Sequence, residues 1–133
     1  MDERILNELV EIAARARKNS YSPYSGFPVG AAVLCGDGRI FSGTNVENAS
    51  FGLTICAERV AIFSAVASGC KRFTALVIVS DGFAYPCGAC RQVLSEFADE
   101  SCDIILFDLS TKNVVRTTLN DVLPNAFKYK KPV

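Results

Sequence analysis

Histidine is absent from this sequence of 133 residues, and its absence excludes several kinds of catalytic site. Neither a Ser-His-Asp triad nor a Cys-His nucleophile pair can form, and no metal site can use imidazole. If the protein is an enzyme that works near neutral pH, its proton carrier is therefore a carboxylate, a lysine, a tyrosine or a cysteine.

The sequence also lacks an excess of charge and any long apolar run. Fourteen basic residues balance fourteen acidic ones, so no surplus of positive charge favours a nucleic acid or a membrane surface. No apolar run is long enough to cross a bilayer, and the first residues form an amphipathic stretch rather than a secretory leader. These features predict a cytoplasmic protein, in which disulfides among the six cysteines are not expected.

Apolar residues are abundant by comparison. Hydrophobic residues make up 50% of the chain and charged residues 21%, which excludes disorder as its main description. The length predicts a single domain over residues 1–133. A small domain with so many apolar residues cannot bury all of them in its core. Apolar surface therefore remains exposed, and we expect an oligomer.

The spacing of the apolar residues predicts alternating helices and strands. We predict helices over 2–18, 56–68 and 87–98, a helical turn over 119–123, and strands over 29–34, 39–43, 75–79, 104–107 and 113–117. The first two strands form a hairpin around a Gly-Asp-Gly turn. The order of elements predicts an α/β fold, namely a three-layer α/β/α sandwich around a five-stranded mixed sheet. The basic tail over 127–133 is predicted to be loose.

Cys87 and Cys90 form a C-x-x-C motif at the predicted start of a helix. Residues three apart share a helix face, so both sulfurs can reach one metal ion, and the helix N-terminus favours thiolates. Alone, this motif also suits a redox pair or a structural zinc site. Cys56 opens another predicted helix and adds a third ligand, and three protein ligands are what a catalytic zinc uses.

Glu58 and Arg59 follow Cys56 in a helix that is apolar on almost every side. Charges in such a place are costly unless they are paired, so both residues are candidate functional groups. Zinc lowers the pKa of a bound water to about 7, and Glu58 is the natural proton carrier beside it. Arg59 lies one helical turn from Cys56, where it can donate to the sulfurs and offset the negative charge of three thiolates.

The pattern C-x-E followed by P-C-x-x-C is typical of the zinc deaminases. Over essentially its whole length the chain resembles the small, homotetrameric cytidine deaminases. The stretches that carry this resemblance are 27–32 (FPVGAA), 45–51 (NVENASF), 56–59 (CAER), 86–92 (PCGACRQ) and 123–127 (LPNAF).

This resemblance implies a function and a cofactor. The chain would bind one zinc ion through Cys56, Cys87 and Cys90, and would hydrolyse cytidine and deoxycytidine to uridine and deoxyuridine with release of ammonia, as in pyrimidine salvage. Glu58 would move protons from water to N3 of the base and to the departing 4-amino group.

The same resemblance implies a set of substrate contacts. Asn45 and Glu47 would hold the ribose hydroxyls, Phe27 would line the pyrimidine pocket, and the backbone of Ala57 would contact the edge of the base. In a homotetramer the neighbouring chains would complete each pocket, which indicates Phe51 and Phe127. In the family, the arginine that matches Arg59 contacts the ligand thiolates. Gln92, just past Cys90, is a weaker candidate for a contact beside the metal ligands.

Two other kinds of function fit part of the pattern. A deaminase of a nucleoside antibiotic, or of cytosine in RNA or DNA, would use the same zinc site. Asn45 and Glu47 favour a free nucleoside, however, and the neutral charge disfavours nucleic acid. A structural zinc or thiol-redox module is the other alternative, but Glu58 beside an incomplete ligand set argues against it. The remaining cysteines have no ligand spacing, and we predict that they are small buried apolar groups; they are Cys35, Cys70 and Cys102.

Overall fold

The computed structural model describes residues 1–129 and contains one five-stranded mixed sheet. Its strands, in the spatial order β2-β1-β3-β4-β5, are β1 (Gly30–Cys35), β2 (Ile40–Thr44), β3 (Phe73–Ser80), β4 (Ala98–Asp108) and β5 (Val114–Thr118). Only β3 and β4 run parallel, and the other neighbours are antiparallel. The last residues of the predicted loose tail, 130–133, lie outside the described residues.

Helices cover both faces of the sheet. They are α1 (Glu3–Arg17), α2 (Ala57–Ala67), α3 (Gly88–Phe97) and α4 (Leu119–Val122), with a short 3₁₀ helix over Phe51–Leu53. The pleat of β1 directs Ala32 toward the layer that contains α1, whereas Ala31 and Val33 join the core that contains α2. The predicted three-layer α/β/α sandwich is therefore confirmed.

The start of α2 packs closely against β2, and Gly43 makes this possible. A Cβ atom at Gly43 would lie only 2.5 Å from the backbone nitrogen of Ala61 and 2.7 Å from the carbonyl oxygen of Ala57. Any side chain at this position would push the helix away from the sheet. Since Cys56 immediately precedes this helix and Glu58 lies in its first turn, the contact also determines where they lie.

Strand β4 begins six residues earlier than the apolar pattern predicts. Helix α3 ends at Phe97 because Ala98 adopts an extended backbone, and Ala98 already pairs with Phe73 of β3. The register then shifts, and the regular pairing resumes at Asp103. The polar residues between these two pairs are exposed, so they carry none of the apolar signal on which the prediction of a strand rests.

Cys35 and Cys70 form a disulfide, so the expectation that the chain has none is wrong. Both residues are buried as predicted, and their Cα atoms lie 6.3 Å apart because the end of β1 meets the turn that follows α2. They are separated by 35 positions in the sequence, and no spacing rule links them. Cys102 is a free, buried thiol, and burial raises its pKa to about 12.

The disulfide is expected to contribute about 3–4 kcal/mol to the free energy of unfolding, because it closes a loop of 35 residues in the unfolded chain. Urea unfolding with and without a reductant measures this difference. Alkylation of the denatured, unreduced protein should label four of the six cysteines. Labelling of all six would show that the purified chain does not form this bond.

No helix within residues 1–129 combines the length and the apolar character needed to cross a membrane.

Candidate metal centre and active site

Three cysteine sulfurs converge at the N-terminal ends of α2 and α3. Cys56 immediately precedes α2, Cys87 immediately precedes α3, and Cys90 lies in the first turn of α3. The Cys56 and Cys87 sulfurs are 3.8 Å apart, the Cys87 and Cys90 sulfurs are 3.3 Å apart, and all three lie within 4.8 Å of one another. No other group of three Cys, Asp or Glu side chains within residues 1–129 converges in this way.

The donor set fits a zinc ion. Sulfurs bound to a tetrahedral zinc at about 2.3 Å lie about 3.8 Å from one another, which is close to the observed separations. Cys56 and Cys87 occupy N-cap positions, yet neither sulfur caps its helix, so both remain available as ligands. Cys90 is buried while Cys87 is exposed, so the cluster is closed on one side and open on the other. Three ligands and an open side are the arrangement of a catalytic zinc.

The electrostatics of the cluster favour a thiolate on Cys56. The neighbouring Cys90 thiol, as a hydrogen-bond donor, and the Arg59 guanidinium lower the pKa of Cys56 to about 5. The same interaction with Cys56 raises the pKa of Cys90, because Cys90 keeps the shared proton. Nη2 of Arg59 lies 3.7 Å from the Cys56 sulfur. Nε of Arg59 is buried without a hydrogen-bond partner among the described residues.

Glu58 places a carboxyl group beside the cluster. Its side chain belongs to the first turn of α2, and the residue is only 5% exposed. Burial raises the pKa of Glu58 to about 7, because the ionised carboxylate loses its hydration. An acid with this pKa can accept and return protons at neutral pH, as a general acid–base catalyst must.

A cavity of about 260 Å³ opens beside the sulfurs and brings most of the predicted site residues together. Its walls also include loop residues that the sequence analysis missed, among them Ser25, Thr54 and Tyr85. They lie in irregular segments, where no periodicity marks a residue as functional. The predicted residues that line the cavity are Phe27, Asn45, Glu47, Cys56, Ala57, Glu58 and Cys87.

Asn45 is buried and is held by the loop that carries Phe27. Its Oδ1 accepts from the Ser20 hydroxyl at 2.6 Å and from the Val29 amide at 3.0 Å. Its Nδ2 donates to the Phe27 carbonyl at 2.9 Å. An amide nitrogen has two hydrogens, so Asn45 keeps one donor for a ligand while it positions the residues around Phe27.

Glu47 is held as an anion at the edge of the cavity. Its Oε1 accepts from the amides of Tyr24 and Ser25 at 2.9 and 3.1 Å, and its Oε2 accepts from the Ser25 hydroxyl. The Ser25 hydroxyl is the main reason why the pKa of Glu47 is lowered. A carboxylate has about four acceptor sites, so three hydrogen bonds leave Glu47 one site for a ligand.

Five of the predicted site residues do not line this cavity. Cys90 and Arg59 belong to the sulfur cluster described above, and the other three are Phe51, Phe127 and Gln92. Phe51 is 73% exposed and lines an adjoining cavity, where its ring packs edge-on against Tyr24 with centroids 5.7 Å apart. Phe127 is 69% exposed and lines neither cavity. Gln92 donates to the Phe127 carbonyl at 3.2 Å rather than to a ligand sulfur.

A three-thiol cluster and a buried carboxyl on an α/β/α sandwich define the class of zinc-dependent deaminases. Residues 3–106 match the family model described as the cytidine and deoxycytidylate deaminase zinc-binding region, and the chain belongs to this family. Zinc is the cofactor of this family's site, and Cys56, Cys87 and Cys90 are the only cluster within residues 1–129 suited to hold it.

Individual relatives support this assignment over most of the chain. A cytidine deaminase from Sporosarcina psychrophila is 45% identical over 124 residues, which are 92% of this chain and 90% of the relative. The crystal structure of a cytidine deaminase from Burkholderia pseudomallei superposes with a TM-score of 0.86 at 46% identity, covering 91% of this chain and 98% of that one. A blasticidin-S deaminase from Bacillus cereus is less similar, at 32% identity over 88% of each chain.

Proposed function

We propose that the protein is a hydrolase that converts cytidine and deoxycytidine to uridine and deoxyuridine with release of ammonia. The observation that carries this proposal is a single cavity lined by two zinc-ligand cysteines, by the buried Glu58, and by the polar pair Asn45 and Glu47. Such a cavity offers a reaction centre and a site for the sugar hydroxyls. The identity to cytidine deaminases over most of the chain supports the same substrate class.

The residues divide into groups that act on the base and groups that bind the sugar. Cys56, Cys87 and Cys90 would hold the metal, which when bound supplies an acidified water as the nucleophile for C4. The carboxylate of Glu58 would accept one proton from water and deliver it to N3 of cytosine while the water oxygen bonds to C4. Glu58 would then accept the proton of the hydroxyl newly bonded to C4 and pass it to the 4-amino group. The C4–N bond breaks, ammonia leaves and C4 becomes the carbonyl carbon of uridine, so one water is consumed for each cytidine.

The sugar is bound through complementary hydrogen bonds. Asn45 donates its remaining N–H to a ribose hydroxyl, and Glu47 accepts from a hydroxyl at its remaining site. Phe27 and the Ala57 backbone line the same cavity and contact the base. Because the Asn45 amide also holds the Phe27 carbonyl at 2.9 Å, the sugar contact and the base contact belong to one hydrogen-bonded unit.

Phosphorylated substrates are expected to react poorly. Glu47 is ionised, and a phosphate on the sugar would add negative charge within a few ångströms of it. Like charges at this distance repel each other, so CMP should bind more weakly than cytidine. The test is kcat/KM for cytidine against CMP in one buffer. Free cytosine should also react poorly, since it lacks the hydroxyls that Asn45 and Glu47 bind.

The variant Glu47→Gln is the matched control for this comparison. It keeps the size of the side chain and removes the charge. It should therefore lower kcat/KM for cytidine and reduce the ratio of kcat/KM for cytidine to kcat/KM for CMP. Equal kcat/KM values for the two substrates in the unmodified protein would contradict the role of Glu47 and the preference for a free nucleoside.

A second candidate is the deamination of a nucleoside antibiotic, for which the similarity to the blasticidin-S deaminase is the observation. That relative is 32% identical, against 45% for the Sporosarcina psychrophila cytidine deaminase, so cytidine is favoured. Ammonia release from blasticidin S and from cytidine, measured side by side, distinguishes the two.

We further infer a homotetramer in which neighbouring chains complete each pocket. Exposed aromatic side chains support this inference, since Phe51, Phe63 and Phe127 are 73%, 48% and 69% exposed. Phe51 and Phe127 would each contact a substrate held by another chain. Each chain, residues 1–133, would contribute a single domain to the tetramer. A role in pyrimidine salvage and a cytoplasmic location are part of the same proposal.

A further inference from the structure

Arg91 links the metal-ligand loop to the end of the chain. It directly follows Cys90 in α3, and its Nε donates to the carbonyl oxygen of Pro86 at 2.6 Å. Its Nη1 donates to the carbonyl oxygen of Val122 at 2.7 Å. Pro86 immediately precedes the ligand Cys87, and Val122 is the last residue of α4. One guanidinium group therefore joins two backbone positions that are distant in the sequence.

Two further side chains hold the C-terminal segment, residues 123–129, against the same helix. Gln92 donates from Nε2 to the carbonyl oxygen of Phe127 at 3.2 Å. The ammonium group of Lys128 donates to the carbonyl oxygen of Ser95. Together with the bond from Arg91 to Val122, these contacts tie the segment that presents Phe127 to the helix that carries Cys90.

The contacts of Arg91 require the shape of its side chain as well as its charge. No ion pair formed within residues 1–129 includes Arg91, although it is half-buried, so backbone carbonyls are its acceptors. A guanidinium presents several N–H groups in a rigid fork and can bond two carbonyls at once. A lysine ammonium has the same charge but lacks this fork.

We propose that Arg91 is a positioning residue that holds the Cys87 ligand and the C-terminal segment to α3 as one rigid unit. The consequence for the enzyme rests on the proposed function. If Phe127 completes the pocket of a neighbouring chain, Arg91 stabilises both the metal site of its own chain and the substrate pocket of the next chain. Loosening this support then affects metal retention and the order of the segment together.

The experiment compares Arg91→Ala and Arg91→Lys with the unmodified protein. Arg116→Ala is a matched control, because Arg116 is a half-exposed residue of β5 whose ion pair, 2.7 Å from Glu3, involves α1 rather than the metal site. The first measurement is the rate of zinc release to a colorimetric chelator. The second is hydrogen exchange of backbone amides in residues 119–129, followed by mass spectrometry in both the zinc-loaded and the metal-free protein.

We expect Arg91→Ala to release zinc at least about tenfold faster, as is usual when a group that orients a metal ligand is lost. Exchange in residues 119–129 should become faster in both metal states, and Arg91→Lys should resemble Arg91→Ala. Arg116→Ala should match the unmodified protein in both measurements.

Two outcomes would overturn the proposal. Unchanged zinc release in Arg91→Ala would show that Arg91 does not position Cys87, and full rescue by Arg91→Lys would show that charge alone is needed. If Arg91→Ala does not fold, Arg91→Lys still tests the proposal. Zinc release and hydrogen exchange in Arg91→Lys that match the unmodified protein would contradict the bridging role of Arg91. Neither measurement involves substrate, so failure of the proposed function would appear separately, as an unmodified protein with retained zinc that does not deaminate cytidine.

Discussion

Replacing Glu58 by glutamine is expected to leave zinc bound and to lower kcat for cytidine by more than about 10⁴-fold. A single general acid–base group contributes about 10²–10⁴-fold, and Glu58 is proposed to serve several proton transfers in one turnover. Glutamine has nearly the same shape, but its side chain cannot exchange a proton with water or with N3. The measurements are zinc content by elemental analysis and the rate of uridine formation. Retention of a tenth of the original kcat would contradict the proton-transfer role.

The stability of the metal-free protein provides a control for this variant. The pKa of Glu58 is raised from 4.5 to about 7 on folding, so the folded chain binds this proton more tightly than the unfolded chain. The ionised carboxylate therefore lowers stability progressively as the pH rises from about 4.5 to about 7. Metal-free Glu58→Gln should be more stable than the unmodified chain by about 3 kcal/mol at pH 8, and similar in stability at pH 4.

Removing two ligand thiols together is expected to abolish zinc binding and activity. The unmodified chain should contain one zinc ion per chain, because it has one three-sulfur site within residues 1–129. In Cys87→Ala/Cys90→Ala only Cys56 remains, and a single sulfur cannot retain the ion. Zinc content should therefore fall to background, and uridine formation should fall below detection. A double variant with full zinc occupancy would contradict the assignment of the ligands.

Cys102→Ala is the matched control for the double variant. Cys102 is a free and buried cysteine, as Cys90 is, but it lies outside the metal cluster. This variant should keep one zinc ion per chain and normal uridine formation. Because metal binding couples to folding, the double variant should also unfold at a lower temperature than Cys102→Ala does.

The sequence by itself determined the secondary structure elements and the candidate chemistry. Helical and strand periods depend on neighbouring residues, so the sandwich could be predicted from the apolar pattern. The lack of histidine and the resemblance of the C-x-E and P-C-x-x-C motifs to those of the zinc deaminases indicated a thiol-bound zinc, although only the spacing of Cys87 and Cys90 is local. The early start of β4 was not predictable, because only Ala98 pairs with β3 there and the polar residues that follow it are exposed.

The tertiary structure decided the contacts that join distant parts of the chain. The disulfide between Cys35 and Cys70, the hydrogen bonds that leave Glu47 one free acceptor site, and the links from Arg91 to Pro86 and Val122 are all of this kind. Each depends on the strand order and on the close packing of helices on the sheet, which arise from burial of the whole core. The spacing of residues in the sequence predicts contacts within one helix or strand but not between distant segments. These partners could therefore be identified only from the tertiary structure.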